Sequence, residues 1–158
     1  MTINHPLKPI YNKNSKILIL GSFPSIISRK NSFYYANKNN RFWKIIENIF
    51  NIKLISNEDK KSFLLNNHIA LWDIIKSCEI NSSSDISIKN VIPNDINKII
   101  DETNIKYIFV TGKIALKYFN KFFTNITPIY LPSPSSANAT YTLDKLINEY
   151  KIIIDYLK

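Results

Sequence analysis

Four short segments carry residue types that could do chemistry. The first is FYYANKNNRFW, residues 33–43, where aromatic rings, side-chain amides and an arginine crowd together. Aromatic faces stack on a nucleobase taken out of its helix, and an asparagine amide reads a base edge or holds a water. Asn39 and Asn40 fit that use or the capping of a helix start, and both readings stand open here. The second is GSFPS, residues 21–25, whose amides and hydroxyls suit a polar ring, a phosphate or a plain turn. It lacks the spacing of a nucleoside-triphosphate loop. The third, TGK at 111–113, opens a helix. Its free amides and Lys113 can hold a phosphate, or it is a simple corner with a solvated lysine. The fourth, LPSPSSAN at 131–138, alternates prolines with serines. Such a loop is stiff and rich in small hydroxyl donors, fit for a phosphate backbone or for a rigid connection.

The elements that must position these segments alternate along the chain. KILIL at 16–20 and YIFVT at 107–111 are apolar runs that end at Gly21 and Gly112. They are expected to be buried parallel strands, with glycine where the backbone leaves the sheet. Weaker strand signals lie at 69–75, IALWDII, and 128–131, PIYL. Between them Phe42, Trp43, Ile45, Ile46, Ile49 and Phe50 repeat at helical spacing, which assigns Phe42 and Trp43 to the core. Ile96, Ile99 and Ile100 follow the start signal Pro93-Asn94-Asp95. Residues 113–123 make a further helix. The apolar stripe from Leu143 to Leu157 predicts one long amphipathic helix. Alternating strands and helices imply a mostly parallel sheet covered on both faces. Ligands in such folds sit beyond the carboxyl ends of the strands, where GSFPS, TGK and LPSPSSAN all fall. The segment 80–85, INSSSD, reads as a polar loop. The whole chain, 1–158, reads as one domain with residues 1–15 as an N-terminal extension.

Composition narrows the function classes. The 158 residues carry 45% hydrophobic and 21% charged side chains, ordinary for a folded domain. One cysteine, Cys78, excludes an internal disulfide framework, and His5 and His68 are too few for a clustered zinc site. No metal or cofactor is expected. No apolar span of membrane length appears, so a monomeric, cytoplasmic protein is the expectation. The net charge of +9 favours an anionic partner, with nucleic acid first. Compositional drift toward lysine accounts for part of that charge. Average usage would give about 11 glycines in a chain this long. There are two, and only two arginines, Arg29 and Arg41. Residues that survive against the composition are candidates for specific duties.

Taken in order, ILILGSFPS, FYYANKNNRFW, LWDIIKSCEI, SSSDISIKNVIPND and LPSPSSANA resemble the uracil-DNA glycosylase superfamily, and within it the deoxyinosine (hypoxanthine-DNA) glycosylase branch. The resemblance runs from about residue 16 to the C-terminus. It implies a three-layer α/β/α sandwich around a four-stranded parallel sheet. It implies excision of a deaminated base from DNA, hypoxanthine first, then uracil or xanthine, without a cofactor. It places Gly21, Ser22, Phe23 and Pro24 against the base and Tyr35 as the aromatic stacked on it. Ser133 and Asn138 complete the base pocket. In relatives the third position of the first motif holds the Asp or Asn that positions water, and here it is Phe23. The late motif begins with a His in relatives, and here with Leu131. A bulky wedge follows P-S-P in some relatives, and here Ser135 does. The deoxyinosine branch carries its catalytic amide before R-F-W, which is Asn40.

Cleaving an N-glycosidic bond develops positive charge on the sugar and negative charge on the leaving base. An asparagine oxygen orients water but takes no proton near neutral pH, so slow chemistry that leans on a good leaving group is expected. No lysine is evidently desolvated for a Schiff-base route, so the expected enzyme is monofunctional. Lys113, Ser133, Ser135 and Ser136 are the expected contacts to the DNA backbone. Asp85 and Asp95 stand near family-like motifs and read as loop or capping residues. The alternative is a non-catalytic module that binds damaged DNA on the same fold, favoured by Phe23 and Leu131. A weaker third reading is a small-molecule nucleoside hydrolase.

Overall fold

The computed structural model describes residues 2–80 and 88–158. Its centre is a parallel sheet of four strands in the order β3-β2-β6-β7. The strands are β2 (Ile17–Gly21), β3 (Ile69–Asp73), β6 (Tyr107–Thr111) and β7 (Ile129–Leu131). Alternation in β2 shows why this sheet needs cover on both sides. Ile17 and Ile19 join one core cluster, and Leu18 and Leu20 join the other, all fully buried. On the first face lie α2 (Phe42–Phe50), α3 (Asn57–Asn66), α6 (Leu143–Tyr150) and α7 (Ile152–Leu157). Phe42, Ile45, Ile46, Leu64, Leu146, Tyr150 and Ile153 are their buried contributions. On the second face lie α4 (Ile96–Glu102) and α5 (Lys113–Phe122), through Ile96, Ile99, Ala115 and Phe119. The expected three-layer α/β/α arrangement is present. The remaining helix, α1 (Ile26–Asn31), starts at Ser25, whose hydroxyl accepts from the Ser28 amide.

Several elements depart from the sequence expectation. The run IALWDII is two strands: β3 stops at Asp73, and β4 (Ile75–Ile80) starts after a bend. Buried Asn94 fixes that bend, donating from Nδ2 to the carbonyls of Asp73 and Ile75 at 2.8 and 3.3 Å. Strand β4 belongs to a second, antiparallel sheet with β1 (Thr2–Asn4) and β5 (Ile88–Pro93). The first residues are therefore woven into the molecule: Ile3 pairs with Cys78 in register, and Ile10 exchanges backbone hydrogen bonds with Leu71. The long C-terminal helix is interrupted at Lys151. Helix α3 has no apolar stripe to announce it. It is opened by a capping box in which Ser56 and Asp59 satisfy each other's backbone amides. Phe42 and Trp43 are core, as read. Asp95 caps α4 through the Lys98 amide. Asp85 and most of the INSSSD segment lie outside the described residues.

Candidate active site

Because the four strands are parallel, Gly21, Asp73, Thr111 and Leu131 end on the same side of the sheet, and Gly21 pairs in register with Asp73. Above these ends opens a cleft of about 500 Å³. One wall is Gly21–Ser25. A second is Ser133–Ala137, and Tyr35, Asn37 and Asn40 form a third. Asp73 and Thr111, 4% and 6% exposed, make the floor. Both glycines of the chain serve this geometry. A Cβ on Gly21 would sit 2.5 Å from Asp73 Oδ1 and 2.9 Å from the Tyr35 hydroxyl. Gly112 has φ of +91°, and its Cβ would press on Ser133 at 3.2 Å. The Gly112 amide also donates to the Leu131 carbonyl, which ties TGK to the late loop.

Both arginines brace the cleft walls. Arg41 donates from its guanidinium to the carbonyls of Pro134, Ser135, Asn138 and Tyr141, and its own amide adds a second bond to Pro134. It thus gathers the carbonyls of a loop that no sheet or helix ladder satisfies. The buried Tyr150 hydroxyl holds the start of that loop through the Pro132 carbonyl at 2.6 Å. Arg29 lies over the Phe23 ring at 5.5 Å and donates to the Pro24 carbonyl.

Tyr35 reaches into the cleft from a left-handed backbone, φ 53°. Its ring stacks on Phe42 with centroids 4.2 Å apart, and its hydroxyl stands 3.5 Å from Thr111 Oγ1. Burial, and then the Asp73 carboxylate nearby, push the Tyr35 phenol well above its ordinary range, so it stays protonated as a donor. Asn40 lines the same cleft, and its Oδ1 accepts from the Phe42 amide at 2.9 Å. That bond orients the side chain at the start of α2 and leaves a second lone pair on the oxygen. Asn39 is exposed, and its amide donates to Asn37 Oδ1.

The other expected site residues divide. Ser22, Phe23, Pro24, Ser133, Ser135 and Ser136 all line the cleft. Phe23 is 9% exposed and Leu131 is fully buried in the core, so neither offers a polar group to the cleft. Asn138 does not line the cleft: its Nδ2 donates to the Ser133 carbonyl and its Oδ1 accepts from the Thr140 hydroxyl. Its place is inside the loop because those local bonds satisfy the amide there. Lys113 is exposed at the first residue of α5, away from the cleft lining.

Sequence reading missed Asp73 and His5. Asp73 Oδ2 takes a 2.8 Å bond from His5 Nε2, and the two side chains are 6% and 2% exposed. His5 Nδ1 lies against the Leu7 carbonyl and amide, which fixes the ring. The signal was the acid ending an apolar strand in LWDII.

Comparisons with known proteins define the family and the fold. Residues 8–158 match the model of the uracil DNA glycosylase superfamily, and the chain belongs to that superfamily. It is 30% identical over 113 residues to the hypoxanthine DNA glycosylase of Methanosarcina barkeri, covering 70% of this chain and 72% of the relative. It is 30% identical over 141 residues to the hypoxanthine DNA glycosylase of Methanosarcina acetivorans, covering 86% and 89%. Its fold matches the solution NMR structure of a protein from M. acetivorans provisionally described as a uracil DNA glycosylase. The TM-score there is 0.84, with 26% identity and 99% of each chain covered.

Proposed function

We propose that this protein is a monofunctional DNA glycosylase that excises a deaminated base, hypoxanthine foremost, from DNA. The observation that carries the reading is the cleft itself: a cavity at the strand ends roomy enough to admit a base, with Tyr35, Asn40 and a carboxylate lining it. Its volume falls in the ~300–1,000 Å³ range of small-ligand pockets. A flipped nucleotide enters base first, with its sugar and phosphates left at the exposed rim of Ser25, Ser136 and Ala137. Asn40 holds the attacking water on the free lone pair of Oδ1 while the Phe42 amide fixes the other. Tyr35, backed by Phe42, presents its ring to the base. Ser133, Ser135, Ser136 and Lys113 meet the DNA backbone. The chain acts as one domain and a monomer in the cytoplasm. No described helix is long and apolar enough to cross a membrane.

Duplex and single-stranded oligonucleotides carrying one hypoxanthine, uracil or xanthine test the reading. Base release is revealed by alkali cleavage at the abasic site. Release from hypoxanthine exceeding the others supports the reading. Tight binding without release on any base replaces it with the damage-binding module, for which Phe23 and Leu131 give the structural reason.

A further inference from the structure

The wall formed by Gly21–Ser25 runs directly into helix α1, whose first two residues face water. Ile26 and Ile27 are each 42% exposed. They lie between Ser25 and Ser28, which both line the cleft. No other large exposed apolar side chain among the described residues adjoins a cleft-lining residue in the sequence. The inward side of the helix is pinned. Ser28 is 2% exposed, and its hydroxyl accepts from the Ala36 amide at 3.1 Å and from the Ser25 hydroxyl at 3.2 Å. The Phe33 amide donates to the Ser28 carbonyl, and the Arg29 guanidinium donates to that of Pro24. An apolar pair thus stands on a fixed mount beside the cleft, with Arg29 and Lys30 in the last turn of the same helix.

We infer that Ile26 and Ile27 enter the base stack of duplex DNA beside the cleft and fill the gap that a flipped nucleotide leaves. An unfilled gap recloses, because stacking and the opposing base both favour the paired state. Apolar side chains that insert at a base step hold it open. Isoleucine suits the task. Its branched Cβ leaves it few rotamers to lose on insertion, and burying its exposed surface between bases is favourable. The late loop brings only serines, a proline and Ala137 to the cleft, and its exposed members, Ser136 and Ala137, are too small to fill the space of a base. The charge beside the pair commits the surface to nucleic acid: Lys30 is exposed, and with Arg29 it faces the phosphates that flank an opened step. This rests on the glycosylase reading for its substrate and adds to it the residues that hold the duplex open.

The test uses the full chain as wild type, as the double variant Ile26→Ser with Ile27→Ser, and as Ile26→Leu with Ile27→Leu. The substrate is one strand carrying hypoxanthine beside the fluorescent base 2-aminopurine, used alone and paired in a duplex. Single-turnover release is measured on both forms. Fluorescence on binding is measured on the duplex, where the reporter brightens as its stack opens. In the serine variant the ratio of duplex to single-strand release is expected to fall about tenfold or more, and the brightening to be lost. The leucine variant keeps apolar bulk and should retain both. A serine variant with the wild-type ratio and brightening overturns the inference and assigns the exposed pair to another partner. Equal loss on single strand and duplex also overturns it, because α1 then acts only through the shape of the cleft. A leucine variant that behaves as the serine one overturns it too, since bulk is then not what counts. Where the double serine variant does not fold, Ile26→Ser and Ile27→Ser are measured singly and read by the same outcomes. Absence of release by wild type on either form counts against the glycosylase reading alone, and the fluorescence of the duplex then decides the role of the pair.

Discussion

Gly21 stands where the cleft has no room for a methyl group. Its missing Cβ leaves space for Asp73 Oδ1 and the Tyr35 hydroxyl, which would lie 2.5 and 2.9 Å from it. Gly21→Ala must therefore displace one of two buried polar groups, an overpacking that costs ~1–3 kcal/mol. Denaturant titration is expected to show that loss, and base release should fall by more than stability does. Tyr35 contributes differently. Stacking on a base contributes ~1–3 kcal/mol, so Tyr35→Ala is expected to weaken binding of hypoxanthine-containing DNA about tenfold. Tyr35→Phe keeps the ring and loses only the bond to Thr111, so its effect should be mild. Equal effects of the two substitutions would place the importance in the hydroxyl and not the ring.

At the scale of elements, two walls of the cleft are held differently: the Gly21 and Ser22 carbonyls accept from the Ile74 and Ile75 amides, whereas the late loop depends on side chains. Arg41 reaches four carbonyls of the 134–141 loop. A hydrogen bond to a charged group contributes ~1.5–3 kcal/mol where it is not shared with water. Arg41 is partly exposed, so Arg41→Ala is expected to lower stability by ~2 kcal/mol in total. Amide exchange should rise across residues 133–141, measured by mass spectrometry, while β2 and β6 stay protected. Lysine's compact ammonium lacks the planar fork that spans these carbonyls and should not restore the loop. Unchanged exchange in Arg41→Ala would show that Tyr150 and the prolines alone hold it. These dependencies explain what was legible in the chain. KILIL and YIFVT declare themselves because a buried parallel strand is apolar throughout. The break at Asp73–Ile75 is invisible locally, since the apolar run continues across it and the bend is set by Asn94, 21 positions away. Helix α3 was hidden because most of its surface faces solvent, and β5 because IKNVIP buries only Ile88. The four cleft segments were readable from residue type. Asp73 could be found only as an acid closing an apolar strand, since its partner His5 lies 68 positions earlier in the chain. Asn138 stands outside the cleft lining because its loop folds the amide back on Ser133.

The whole molecule carries +9 at pH 7 and a cleft rimmed by serines rather than acids. A protein that neutralises several phosphates releases counterions, so DNA affinity should fall steeply between low and physiological salt. Filter binding or anisotropy over that range checks it, and a flat response would mark the lysines as drift of composition. The sheet fixes the rest: parallel strands bring Gly21, Asp73, Thr111 and the late loop to one end, where Asn40 meets them from the start of α2. Two duties are open to that asparagine, orienting water and capping the helix through the Phe42 amide. Cap loss alone costs ~0.5–2 kcal/mol of stability and leaves activity per folded molecule intact. The decisive measurement is the single-turnover rate of hypoxanthine release by wild type and Asn40→Ala, with the melting temperature taken on the same samples. Release by wild type, with loss of at least about a hundredfold in a variant that stays folded and binds DNA, is the expected result. A destabilised variant that still releases hypoxanthine at the wild-type rate would contradict it.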